Sequence, residues 1–118
     1  MFNFLFTLVL VKPADFLNKQ HKQIINGNTV YFPFNPYDCQ TEYMTRVIDA
    51  ISKKENALLE SPTGTGKTLS LLCSSLAWLK SERDRFMLDN IGAAGGKGSV
   101  EPPKIIYCSR THSQLAQV

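Results

Sequence analysis

Ser61-Pro62-Thr63-Gly64-Thr65-Gly66-Lys67-Thr68 is the stretch on which the reading of this chain turns. Its glycine-rich turn lets backbone N–H groups face inward around an anion. Lys67 is spaced to reach the outer phosphates of a nucleoside triphosphate, and the Thr68 hydroxyl to join a Mg²⁺ shell. The general phosphate-loop pattern has glycine where Ser61 stands, so the flanking sequence has to carry the argument.

The flanks support a phosphate cradle. Residues 57–60, Ala-Leu-Leu-Glu, form a short apolar run of the length expected for a buried parallel strand. Downstream, Leu69, Leu72, Leu76 and Leu79 recur at helical spacing, with Cys73 and Ala77 on the same face. Leu71 and Trp78 lie off that stripe, so the helix is expected to be covered on more than one side. Strand, glycine-rich turn and apolar helix is the order a triphosphate site requires, because the helix N-terminus adds unpaired N–H groups and partial positive charge. A chance Gly/Thr loop before a helix is the poorer explanation.

The chain is 43% hydrophobic and 19% charged, which excludes a disordered or fibrous protein. At 118 residues it has room for one small domain or a piece of a larger one. A net charge of +3 permits contact with nucleic acid without arguing for it. Cys39, Cys73 and Cys108 are far apart and odd in number, so they are expected to be buried reduced thiols of an intracellular protein and neither a zinc site nor a disulfide frame. Residues 1–11 are nearly all apolar, yet too few to span a bilayer, which takes about 20 residues as a helix. A signal-like segment, an extra strand or helix, and a mispredicted start of the coding sequence remain as readings, and the last is favoured. No membrane association is expected.

Residues 12–23 are polar and basic and read as a tether, so residues 1–23 are set apart as an N-terminal extension. Ile24-Ile25, Asn26-Gly27-Asn28 and Thr29-Val30-Tyr31-Phe32 read as a hairpin turning on Asn-Gly. Pro33 and Pro36 force an extended passage, after which a helix begins near Asp38 as N-cap, with Tyr43, Val47 and Ile51 on one face and Met44 and Ile48 beside them. Residues 81–89 are expected to fray, and 82–103 to form a flexible loop rich in glycine. Residues 104–108, Lys-Ile-Ile-Tyr-Cys, read as a second buried strand, with a helix starting near Thr111. Two parallel strands with helical crossovers give an α/β class, and two alone do not complete a parallel sheet. The expectation is therefore a partial RecA-like P-loop sheet with flanking helices, truncated, over residues 24–118.

Three segments in fixed order then carry a resemblance: Phe-Pro-Phe-Asn-Pro-Tyr-Asp-Cys-Gln over 32–40, the eight residues 61–68, and Ile-Tyr-Cys-Ser-Arg-Thr-His-Ser-Gln over 106–114. Together they resemble the iron–sulfur, superfamily 2 DNA helicases, from near Ile24 to Val118. The resemblance implies that Gln40 reads adenine, with Phe32, Phe34 or Tyr37 against the base. It also implies that Ser61, Pro62, Thr63, Gly64, Thr65 and Gly66 wrap the phosphates while Lys67 and Thr68 act on phosphate and Mg²⁺. Ser109, Arg110, Thr111, His112 and Gln114 then correspond to a DNA-contact segment that grips backbone without reading bases. Residue chemistry alone leaves core packing open for the aromatics, a surface helix position open for Gln40, and helix capping open for Ser109 and Thr111. His112 has no second partner for metal or base chemistry.

What the resemblance implies further is ATP and Mg²⁺ as cofactors, single-stranded and forked DNA as partners, and 5′-to-3′ unwinding in genome and telomere maintenance in the nucleus. The family's 4Fe-4S cluster needs four clustered cysteines and its metal site an Asp-Glu-Ala-His box, and these 118 residues contain neither. Alone they are expected to bind ATP weakly and hydrolyse it hardly at all, since phosphoryl transfer rests on such groups. A non-catalytic binding module and an unrelated P-loop ATPase are the alternatives. Loss of ATP-over-GTP preference on Gln40→Ala separates the last from a helicase-type site.

Overall fold

The computed structural model describes residues 20–91 and 101–109. It opens with an antiparallel hairpin, β1 (His21–Ile25) and β2 (Asn28–Phe32), paired from His21↔Phe32 to Ile25↔Asn28. Asn26 (φ 48°) and Gly27 (φ 78°) both sit in the left-handed region, which a two-residue turn needs to match the twist of its strands. Asn28 closes the turn from within, its buried amide donating to Asn26 O at 3.1 Å. The Asn26 amide donates to the Asp49 carboxylate, tying the hairpin to the helix that follows. One face of the ladder is apolar: Ile25, Val30 and Phe32 are buried, whereas Ile24 and Tyr31 point to solvent. The basic tether expected up to residue 23 therefore ends earlier, because His21, Lys22 and Gln23 pair with β2.

After the two prolines, α1 (Asp38–Lys53) starts one residue earlier than a cap at Asp38 implies. Tyr37, extended at φ −69° and ψ 158°, is the N-cap, and the Gln40 side chain returns to accept its N–H at 3.0 Å. The helix ends on Lys54 in the left-handed region, where the N–H groups of Lys54 and Glu55 bond Ile51 O and Ala50 O. Its buried face is Gln40, Met44, Val47 and Ile48, with Tyr43 and Ile51 half-buried at the margins.

The second helix, α2 (Lys67–Ile91), leaves the glycine-rich turn directly. Its deepest face differs from the leucine stripe. Ser70, Ser74, Ser75 and Ala77 are buried, whereas Leu76 is 56% exposed. Small side chains let α2 lie close on α1 and β2, and the Ser74 hydroxyl returns to Ser70 O at 2.6 Å. The core is Ile25, Val30, Phe32, Met44, Ile48 and Ala77, with Leu69 and Cys73 packed against it. Residues 82–91, expected in a loop, continue this helix, with Lys80–Asp84 (3.2 Å) and Glu82–Arg85 pairs on the exposed surface.

The fold is α/β in content, but no parallel sheet occurs among the described residues. Residues 57–60 and 104–108, both expected as buried strands, carry no regular structure. Leu58 is 100% exposed and Ile106 88%. A parallel strand is made by hydrogen bonds to neighbours distant in sequence, and neither segment has such a neighbour among the described residues.

Candidate nucleotide site

Between residues 60 and 67 the chain folds back on itself before entering α2. Thr65 is the centre of the turn. Its hydroxyl donates to Pro62 O at 2.7 Å and meets the Ser61 hydroxyl, while its N–H points to the same Pro62 carbonyl at 3.4 Å. Lys67 curls back over the loop, its ammonium donating to Ser61 O and, at 3.1 Å, to Pro62 O. Thr68 is exposed on the first turn of α2, and Ser70 N bonds Gly66 O at 3.0 Å to begin the helical ladder.

Gln40 joins this loop from α1. Its Nε2 donates to Thr65 O at 3.1 Å while its Oε1 accepts from Tyr37 N, so one carboxamide spans the α1 cap and the glycine-rich turn. The side chain is only 5% exposed. Gly66 is what admits it: a Cβ there would lie 2.7 Å from Gln40 Nε2, and its φ of +72° already disfavours a side chain. Thus Gln40, Thr65, Gly66 and Lys67 come together, although 25 residues separate Gln40 from Thr65. The sequence motif did not reveal this contact. Its one signal was a glutamine three places after a helix cap, the spacing at which a side chain returns to the cap N–H.

The aromatics divide. Phe32 is fully buried in the core and contacts Phe34 edge-on at 5.0 Å, so it is a packing residue. Phe34 and Tyr37 are exposed beside the α1 cap. Of the segment compared with a DNA-contact motif, Ser109 is half-buried, and Arg110, Thr111, His112 and Gln114 lie outside the described residues.

A triphosphate suits this chemistry. The loop brings one ammonium, two hydroxyls and the N-terminus of α2 into one turn, and the ammonium now rests on neutral carbonyls that a phosphate oxygen outcompetes as an acceptor. An iron–sulfur cluster does not suit it. Cys39 and Cys108 are exposed and Cys73 half-buried, and no group of three metal-ligating side chains occurs among the described residues. Burial pushes the Cys73 thiol pKa up. The Tyr43 phenol is also raised, by burial first and then by the charge of Tyr107.

Comparison with known proteins locates the chain. The family described as type III restriction enzyme, res subunit, matches residues 33–88, which include Gln40, the glycine-rich turn and nearly all of α2. Regulator of telomere elongation helicase 1 of Mus musculus is 49% identical across 80% of this chain and 10% of its own length. The Homo sapiens protein of that name is 47% identical across 82% of this chain and 10% of its own. A homologue in Aedes aegypti is 46% identical, across 80% of this chain and 13% of its own. No solved structure matches. The chain thus spans about a tenth of the length of these relatives, and at nearly half identity it is a homologue of the regulator of telomere elongation helicases.

Proposed function

We propose that these residues form the ATP-holding part of a DNA helicase that couples hydrolysis to 5′-to-3′ movement on single-stranded DNA and to opening of forked duplexes. The observation that carries the reading is the Gln40 carboxamide bonded to the phosphate-loop backbone. After its bonds to Thr65 O and Tyr37 N, it still has one N–H and one lone pair. Those match the N7 acceptor and N6 donor of adenine. Lys67 takes the β- and γ-phosphates, Thr68 shares Mg²⁺ with them, and Phe34 or Tyr37 lies against the base. Ser109 opens a segment, with Arg110, Thr111, His112 and Gln114, that grips the DNA backbone. The relatives' name, regulator of telomere elongation helicase, supports extending the proposal to nuclear work in genome and telomere maintenance.

Without an Asp-Glu-Ala-His box in their sequence, the 118 residues taken alone bind ATP weakly and turn it over negligibly. The decisive measurement is DNA-stimulated ATPase of the native-length protein. Lys67→Ala is expected to lower it by about 100-fold or more, the scale of losing one charged donor at a transferring phosphoryl group. An unchanged rate overturns the proposal. Gln40→Ala is expected to erase preference for ATP over GTP, and retained preference would remove Gln40 from the base site.

A further inference from the structure

Pro62 O is approached by three donors: the Thr65 hydroxyl at 2.7 Å, the Lys67 ammonium at 3.1 Å and the Thr65 N–H at 3.4 Å. A carbonyl oxygen offers two lone pairs, so these donors compete. The Thr65 hydroxyl holds the shortest bond. Its only hydrogen is committed to Pro62 O, so the Ser61 hydroxyl must be the donor in the bond between the two side chains. That donation polarises the Thr65 hydroxyl and strengthens its grip on the carbonyl. The result is a relay from Ser61 through Thr65 to Pro62 O, one of the two carbonyls, with Ser61 O, on which Lys67 rests. Ser61 stands where the general phosphate-loop pattern has glycine and therefore no hydroxyl.

We infer that Thr65 is a positioning residue for Lys67: backed by Ser61, its hydroxyl occupies the Pro62 carbonyl and so frees the lysine to exchange from its own loop onto a nucleotide's phosphates. This rests on the nucleotide-site reading above. In the resting loop the ammonium is parked on carbonyls, and bringing it to phosphate breaks those bonds. The more firmly Thr65 holds Pro62 O, the less the lysine loses on leaving. The Gln40 side-chain amide holds the same residue through its backbone carbonyl, Thr65 O, and leaves the Thr65 hydroxyl to Pro62 O.

The test is the affinity of the native-length protein for ATP, ADP and AMP, by competition against a fluorescent ATP analogue. Thr65→Val keeps the shape and removes the hydroxyl. It is expected to weaken ATP and ADP by about 3- to 10-fold, the range for one net hydrogen bond. AMP, which has no β- or γ-phosphate for Lys67, should bind as before. Thr65→Ser should restore the wild-type pattern, and Ser61→Ala should shift ATP in the same direction by less. Equal weakening of all three nucleotides by Thr65→Val, no weakening of any, or failure of Thr65→Ser to rescue each overturns the inference. Lys67→Ala tests the underlying reading separately. If it retains the wild-type preference for ATP over AMP, the site does not hold phosphates and the inference falls with it.

Discussion

Gln40 and Gly66 are set so closely that a side chain at Gly66 would meet the glutamine amide. Gly66→Ala places a methyl 2.7 Å from Gln40 Nε2 on a backbone at φ +72°. The amide can swing away, but only by leaving Tyr37 N and Thr65 O. The left-handed strain alone is worth about 1–3 kcal/mol. Gly64, at φ +84°, has open space for 4 Å around the position a methyl would take, so Gly64→Ala carries strain without displacing a partner. Thermal melts should therefore fall for both variants, and nucleotide affinity further for Gly66→Ala. Equal affinities would show that Gln40 does not depend on the space at Gly66. At this scale the sequence was informative about residue types and silent about their contacts. The motif singled out Lys67 and Thr68, but the meeting of Gln40 with Thr65 depends on how α1 packs, which no local spacing encodes.

The helices show why an apolar stripe is an incomplete guide to packing. Leucines at 69, 72, 76 and 79 follow helical spacing, yet the buried positions of α2 are Ser70, Ser74, Ser75 and Ala77. Ala77→Leu should overpack this contact and cost about 1–3 kcal/mol in a denaturant titration. A wild-type midpoint would place the contact elsewhere. Alkaline pH should loosen the same packing. Cys73 on α2 and Tyr43 on α1 are both acids whose pKa values are raised on folding. A raised acid favours the neutral form, so its stabilisation is complete below the unfolded pKa and is lost as pH rises through the folded one. Unfolded values are about 8.5 for a thiol and 10 for a phenol. The melting temperature should hold through neutral pH and decline above that range, and Cys73→Ala with Tyr43→Phe should flatten the decline. Helix α1 and the hairpin were legible because their signals are local: two prolines, a cap, an Asn-Gly turn and alternating side chains. The end of α2 was not, because a charged run reads as a loop until its charges pair one turn apart.

For the molecule as a whole, the two misread strands share one cause. Residues 57–60 and 104–108 have the composition of buried strands, and Leu58 and Ile106 stand in solvent. Composition records what a segment buries when its neighbours are present, while a sheet needs those neighbours in place. Exposed apolar segments of this kind favour association. The isolated chain should scatter light and bind a hydrophobic dye at concentrations where Leu58→Lys with Ile106→Lys does neither. Equal behaviour of the two would mean that these segments are not the sticky surface. The Asn26-Gly27 turn has a further consequence, measured in time. Because glycine has no side chain, the Gly27 peptide nitrogen is unhindered for attack on the Asn26 side-chain carbonyl, which closes a succinimide and expels the side-chain nitrogen as ammonia as the chain ages. Conversion of Asn26 to an aspartate would replace the donor facing Asp49 with a second carboxylate, and an isoaspartate would add a methylene to a turn built for two residues. The tie between hairpin and α1 would become a repulsion, which makes this small link a clock as well as a brace.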